Sequence, residues 1–414
     1  MTLSEELKWR GFVNQTTIKD VGVLDGSPLN FYFGVDPSSD SMTIGNLASA
    51  MMVKLFIKYG HQAYLLVGGA TGLIGDPDGK SEERELKSPD EISQNKQKIV
   101  DQYQTIFAGQ TFEVVDNYDW FKDFGYLEFL REVGKHVPIR QMLARDFVQS
   151  RLGEGSNGIS YAEFSYALIQ GYDFLHLYRE NKVTLQVCGA DQWGNSIAGV
   201  DLIRRITGGS VDVWSAPLVI NKATGVKFGK SETGAIWLDP VKTSPTQFYQ
   251  SWINIDDESV EDHLKMFTGL DQPTIEKIMS EHNERRQDRT AQTRLAQEVT
   301  MLIHGKNNLM FAEKVTEFLT GKASISEADS DALEEVQHHL ANTKVEVNGS
   351  IIEALVVTGL AVSNTEARRL MSDNGISING QKVNRENFEA SDFKNGRLLL
   401  RRGKAFKDSA LIEI

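Results

Sequence analysis

A chain of 414 residues with a formal net charge of −13 has length for two or three domains, each with its own core, and is too acidic to coat nucleic acid, although a local basic patch fits that balance. Its one cysteine, Cys188, excludes an intrachain disulfide and suits a reducing compartment. The first ten residues lack the apolar core of a signal peptide and no apolar run reaches membrane-spanning length, so a cytoplasmic protein with no membrane partner is expected. From Ile351 to Ile414, ten Lys plus Arg face eight Asp plus Glu, a net of +2 that leaves the preceding 350 residues at −15. That shift marks the tail as a separate module.

In chain order, Phe31, Phe33 and Val35 alternate with Tyr32 and Gly34 at strand spacing, Pro37 stops the strand, and an amphipathic helix is predicted from about Ile44 to Tyr59. Strand, polar loop and helix bring a helix N-terminus to the carboxyl edge of a sheet, where anionic ligands bind. Thr43-Ile44-Gly45-Asn46 opens that helix. A bland βα turn with a capping threonine reads the same way. A strand over 63–67 then runs into a glycine-rich loop, 68–81, that fails both nucleotide fingerprints: Gly75 to Gly79 encloses three residues where a P-loop needs four, and the glycines fall as Gly69, Gly72 and Gly75. The loop reads either as a flexible connection or as a lid carrying Asp76, Lys80 and Arg84 to a charged ligand.

Further on, a helix over 89–107, a strand near 112–115 and helices over 127–152 are predicted. In the helical stretch 161–175, Phe164, Ala167, Leu168, Gly171, Phe174 and Leu175 make one apolar face, while Tyr166, Gln170 and Asp173 recur at i, i+4 and i+7 on another. Such a stripe is either solvated or one wall of a polar pocket. A strand over 183–188, a tight loop Gly189 to Asn195 and a helix over 196–206 repeat the opening βα plan, and 217–220 reads as a further short strand. Behind it, Lys227-Phe228-Gly229-Lys230-Ser231 places two lysines on a glycine-bearing loop, a way to bring point charges to a polyphosphate. From about 246 to 320 the chain is helical and charged. Residues 324–330 are polar and acidic, and the tail carries helices over 351–357 and 365–372, strands over 376–378, 397–400 and 410–413, and a hairpin signal at Asn379-Gly380.

Taken together, these segments resemble the bacterial-type tyrosyl-tRNA synthetases over nearly the whole chain. Thr43 to Asn46 occupies the family's HIGH position and Lys227 to Ser231 its KMSKS position; between them the 68–77 loop, the 161–173 stripe and Asp191 to Asn195 each match a family segment in register. The resemblance implies an α/β fold: a Rossmann-like doubly wound parallel catalytic domain over 1–225, the KFGKS loop and a helical tRNA-recognition domain over 226–323, a linker over 324–348, and a small α+β RNA-binding domain over 349–414, similar to a ribosomal small-subunit type. It implies a tyrosine-tRNA ligase that forms tyrosyl-adenylate from L-tyrosine and ATP, with Mg2+ assisting, and transfers the tyrosyl group to tRNA(Tyr), as a homodimer.

By the same resemblance Tyr32 and Asp173 meet the substrate phenol, Asp76, Tyr166 and Gln170 hold its ammonium, and Gln192 stands beside its reacting end. Phenylalanine is rejected because a buried carboxylate and hydroxyl would be left unpaired, a discrimination for which this family is itself the standard example. Gly34, Asp36, Ser38, Gly45, Gly189, Asp191 and Lys230 line the ATP site, and Thr43, Asn46, Lys80, Arg84, Lys227, Lys230 and Ser231 carry the chemistry without any dedicated metal ligands. Arg368, Arg369, Arg401, Arg402 and Lys404 are the implied RNA contacts. Two departures stand out: Thr43 and Asn46 replace the two histidines of HIGH, and Phe33 stands where a small residue is usual. Thr43 is expected to replace the missing phosphate donor and give a slower, active enzyme. Two other readings remain: a catalytically weakened relative kept as an RNA-binding scaffold, and a Rossmann oxidoreductase, disfavoured by the missing dinucleotide fingerprint.

Overall fold

The computed structural model describes residues 1–77, 85–152, 158–220, 228–231, 234–320, 322–403 and 408–414. They form two compact units, one of residues 1–244 with 252–303 and one of residues 245–251 with 304–414.

The first unit is built on a six-stranded sheet. Its strands are β1 (Gln15–Thr16), β2 (Asn30–Val35), β3 (Gln62–Val67), β4 (Phe112–Asp116), β5 (Leu185–Gly189) and β6 (Asp212–Ala216), in the spatial order β1-β6-β5-β2-β3-β4. All neighbours are parallel except the short edge strand β1, which runs antiparallel to β6. Buried on both faces, β3 is almost wholly apolar, as an inner parallel strand must be. The chain steps outward from β2 to β3 and β4 and then returns to β5 on the other side of β2. The switch point therefore falls between β2 and β5, where a crevice opens at the carboxyl ends of the strands.

Two helices frame that crevice. The helix Ile44–Lys58 follows β2 with Thr43 at its N-cap, as the sequence pattern predicts. The helix Tyr161–Asn181 crosses Trp193–Thr207 at close range: a Cβ on Gly171 would sit 3.3 Å from the Gly199 nitrogen, and one on Gly199 would sit 3.0 Å from Phe174. Only glycines allow this approach, and it presses Phe174 onto Tyr32, ring centroids 5.2 Å apart.

The second unit is a five-stranded sheet with both faces covered. After a short hairpin in the first unit, β7 (Lys230–Ser231) with β8 (Gly234–Ala235), its strands are β9 (Ala341–Lys344), β10 (Ile376–Ile378), β11 (Gln381–Lys382), β12 (Arg397–Arg402) and β13 (Ser409–Glu413), ordered β11-β10-β12-β13-β9. Alternation sends Leu398 and Leu400 to one face, against the helices Ile351–Val357 and Asn364–Ser372, and Leu399 to the other, against Val315, Phe318 and Val336. Asn379 and Gly380 both have positive φ, 49° and 82°, and close the β10–β11 hairpin.

Two expectations need correction. Residues 324–348 are not a linker: helix Ser330–His339 packs into the core, and β9 pairs in parallel with β13. Their polar composition belongs to an amphipathic helix and an edge strand. The strand placed at 217–220 lies instead at β6, Asp212–Ala216, and stops before Pro217, which has no N–H for the ladder.

Candidate functional site

A cavity of about 340 Å³ opens at the switch point, at the low end of the range of ~300–1,000 Å³ usual for small-ligand sites. Its walls come from β2 and the turn after it, the start of helix Ile44–Lys58, the 71–76 turn, one face of helix Tyr161–Asn181, the loop after β5 and Phe228. Of the residues singled out from sequence, Tyr32, Gly34, Asp36, Ser38, Thr43, Gly45, Asn46, Asp76, Tyr166, Gln170, Asp173, Gly189, Asp191 and Gln192 all line it. The helical stripe Tyr166, Gln170 and Asp173 is thus a pocket wall.

At the inner end Asp173 is 1% exposed. Asn117 Nδ2 donates to its Oδ2 at 3.1 Å and Trp120 Nε1 to its Oδ1 at 2.9 Å. Burial pushes its carboxyl well above the ordinary carboxylate range, against the pull of those two donors. Beside it, Tyr32 Oη is buried with no hydrogen-bond partner among the described residues, and burial with the neighbouring Asp173 raises its phenol far above the usual value. A buried hydroxyl without a partner is costly, about 1–3 kcal/mol, and a polar group of a ligand in the cavity would satisfy this one.

Three further acceptors line the cavity. Tyr166 Oη donates to Asp36 Oδ2 at 2.6 Å, which commits its proton and leaves its lone pairs facing the cavity. Gln170 Oε1 is buried without a partner among the described residues, and Asp76 Oδ2 accepts from Gln192 Nε2 at 2.7 Å. Asn195 holds Gln192 in turn, Nδ2 to Oε1 at 3.3 Å, and Arg145 holds Asn195 at 2.9 Å. Thr71 braces Asp36 at 2.6 Å, under Gly68, where a Cβ would fall 2.1 Å from Thr71 Oγ1. A carboxylate, a phenol oxygen and an amide oxygen on the walls of one cavity suit an ammonium group.

At the mouth, Gly34, Ser38, Gly45 and Asp191 are exposed, so backbone lies open to a flat or phosphorylated ligand. Phe228 lines this end, and Gly229, at φ 94°, lies so close to the helix start that a Cβ would sit 2.8 Å from Ile44 Cγ1. Ile236 N–H donates to Gly229 O at 3.0 Å and Ile44 N–H to Ile236 O at 3.1 Å, so the segment following the lysine loop is stitched to the helix. Lys80, Arg84, Lys227 and Lys404 lie outside the described residues, as do the side chains of Lys230 and Ser231.

Sequence reasoning missed Thr71, Asn117, Trp120 and Gln186. Gln186 Oε1 is another buried oxygen without a partner among the described residues, and it lines the cavity from β5. Its polar side chain inside an otherwise apolar parallel strand was the available signal. Cys188 also lines the cavity, but burial pushes its thiol up to about 12, which removes it as a nucleophile.

Of the implied RNA contacts, Arg368 and Arg369 are exposed. Arg401 instead donates to Leu319 O at 3.0 Å and to Ser409 Oγ at 3.1 Å, and Arg402 donates to Leu360 O at 2.9 Å and pairs with Glu366. Both of these hold their own unit together.

A parallel sheet with a ligand cavity at its switch point, bounded by the start of helix Ile44–Lys58 and by Phe228, is the arrangement in which α/β enzymes bind nucleotides. The family model described as tRNA synthetases class I (W and Y) matches residues 24–320, and the chain belongs to that family. A second model, the tyrosine–tRNA ligase SYY-like C-terminal domain, matches residues 332–407. The chain is 40% identical over 399 residues to a tyrosine–tRNA ligase of Bacteroides fragilis, covering 92% of each, and 40% identical over 416 residues to one of Levilactobacillus brevis, covering 98% of each. Among solved structures it is similar to a C-terminally truncated mitochondrial tyrosyl-tRNA synthetase of Aspergillus nidulans, with a TM-score of 0.69 at 30% identity over 77% of this chain and 94% of that one.

Proposed function

We propose that the protein is a tyrosine-tRNA ligase, which activates L-tyrosine with ATP and passes the tyrosyl group to the 3′-terminal adenosine of tRNA(Tyr). The observation that carries the reading is the unpartnered Tyr32 hydroxyl beside buried Asp173 at the inner end of the cavity. A substrate phenol accepts from Tyr32 and donates to Asp173, and satisfies both. Its ammonium then meets Asp76, Tyr166 and Gln170, which leaves the carboxylate near Gln192 at the mouth.

There the carboxylate attacks the α-phosphate of ATP in line, and pyrophosphate leaves. No covalent enzyme intermediate is needed, and the protein acts by positioning and by stabilising charge. Gly34, Asp36, Ser38, Gly45, Gly189 and Asp191 surround the nucleotide, and Lys80, Arg84, Lys227 and Lys230 supply positive charge to the phosphates. Among the described residues no group of three or more His, Cys, Asp or Glu side chains could hold a metal ion. A Mg2+ ion carried on the phosphates of ATP would neutralise their charge there.

For the second step, the exposed Arg368 and Arg369 and the basic tail support an RNA contact in the second unit. The exposed apolar side chains Tyr126, Leu127, Ile139 and Leu143 support pairing with a second copy of the chain. One thiol, buried, suits the cytoplasm; among the described residues no helix is long and apolar enough to cross a membrane.

Tyrosine-dependent ATP–pyrophosphate exchange tests the reading. Exchange with tyrosine and none above background with phenylalanine is expected. A protein that binds RNA without exchange would instead be the weakened scaffold.

A further inference from the structure

The first turn of helix Ile44–Lys58 is closed by Asn46, whose Oδ1 accepts from the Thr43 N–H at 2.9 Å and from the Thr43 hydroxyl at 3.0 Å. A backbone N–H can only donate, so the atom facing it is the amide oxygen, and Nδ2 occupies the other arm of the carboxamide. Nδ2 has no hydrogen-bond partner among the described residues, and both Thr43 and Asn46 line the cavity beside Ser38 and Ser49. The threonine hydroxyl has one proton, and Asn46 takes it. What remains on Thr43 Oγ1 is acceptor capacity, which the capping box directs to the Asn46 N–H and which would repel an anion.

Thr43 is held in this arrangement from behind. It forms a bridge with Trp237, Leu238 N–H donates to Met42 O at 2.9 Å, and Ile44 N–H donates to Ile236 O at 3.1 Å. Branching at Cβ restricts its rotamers further. The same contact removes the Ile44 N–H from the helix's free donors, so this end of the cavity depends more on side-chain donors than a bare helix start would.

We propose that Thr43 is a positioning residue that acts through Asn46, holding the carboxamide so that its two Nδ2 protons face the phosphates of ATP. The proposal rests on the reading of the cavity as the site of tyrosine activation. It deepens that reading by moving the phosphate donor from the first residue of the motif to the fourth.

The test is a double-mutant cycle read by the pre-steady-state rate of tyrosyl-adenylate formation. Asn46→Ala lowers the rate about a hundredfold, within the range typical of one transition-state donor; Thr43→Val, which keeps the shape and loses the hydroxyl, lowers it about tenfold. The double variant is no slower than Asn46→Ala alone, because Thr43 has nothing left to orient. Thr43→Ser keeps the rate within about twofold, and tyrosine affinity is unchanged throughout. Losses that multiply in the double variant, or a Thr43→Val rate equal to the parent's, would overturn the proposal. Asn46→Asp keeps both hydrogen bonds from Thr43 and turns a carboxylate oxygen outward. It should lose at least a hundredfold at an unaltered melting temperature, and an undiminished rate would be contradictory even where Thr43→Val fails to fold. A parent protein without tyrosine-dependent exchange removes the functional reading itself, whereas multiplicative losses with exchange intact remove only the role of Thr43.

Discussion

At the inner end of the cavity Tyr32 and Asp173 are 2% and 1% exposed, and both Asp173 oxygens are held by donors from another part of the chain, Asn117 and Trp120. At the mouth Gly34, Ser38, Gly45 and Asp191 are exposed, and the surface is made of turns and a helix start. The inner end offers a ligand few groups, each desolvated, and Tyr32 Oη has no partner among the described residues, so the loss of one would be felt in full. The mouth spreads its contacts over backbone and short polar side chains in water, so each matters less.

The comparison breaks most readily at Asp173. Asp173→Ala removes a charge-assisted contact and leaves Trp120 Nε1 without its acceptor; kcat/KM for tyrosine in exchange should fall a hundred- to a thousandfold, or about 3–4 kcal/mol, with KM for ATP within about twofold. Equal losses on both substrates would mean the carboxylate supports the whole cavity and selects nothing.

Next is pH. Burial raises the Asp173 pKa in the folded protein above its unfolded value, so its contribution to stability is full below the unfolded pKa and is lost as pH rises through the folded one. Tyrosine binding has the opposite sign, because the phenol donates to the ionised form. KM for tyrosine should fall with rising pH by up to about tenfold per unit until pH passes the raised Asp173 pKa, above the ordinary carboxylate range, and then level off. A flat profile would remove Asp173 as the phenol acceptor.

Tyr32→Phe removes a neutral donor, and kcat/KM for tyrosine should drop roughly tenfold, about 1–1.5 kcal/mol, while exchange with phenylalanine stays at background or rises above it. The smallest effect is expected at the mouth: Ser38→Ala should raise KM for ATP by about threefold and leave tyrosine alone. A hundredfold loss there would erase the contrast between the two ends.

How much of this was legible depended on how local each signal is. A helix has one period, so Tyr166, Gln170 and Asp173 could be put on one face from spacing alone, and the cavity wall is that face. β2 and the helix after it were equally readable, since alternation, a proline and a capping residue lie within a few positions. Asn117 and Trp120 were not, because they meet Asp173 across more than fifty residues, and Trp120 sits in the four-residue helix Tyr118–Phe121, with Asn117 just before it, too short to show a period. β1 is two residues long and exists through β6, about two hundred positions away. Residues 324–348 read as a linker for the same reason: β9 is exposed along most of its length and is a strand only because β13 pairs with it. Arg401 and Arg402 fit the RNA-binding pattern by resemblance and charge, but Arg401 donates to Leu319 O and Ser409 Oγ, and Arg402 to Leu360 O while pairing with Glu366, partners that charge alone does not reveal.

The central claim is that tyrosine lies with its phenol on Tyr32 and Asp173 and its ammonium on Asp76, Tyr166 and Gln170. A crystal structure of the protein with L-tyrosine bound tests it most directly. The phenol oxygen should lie within hydrogen-bond distance of Tyr32 Oη and an Asp173 oxygen, with the carboxylate toward Gln192. A tyrosine bound the other way round, or one that leaves Tyr32 Oη without a partner, would contradict the account.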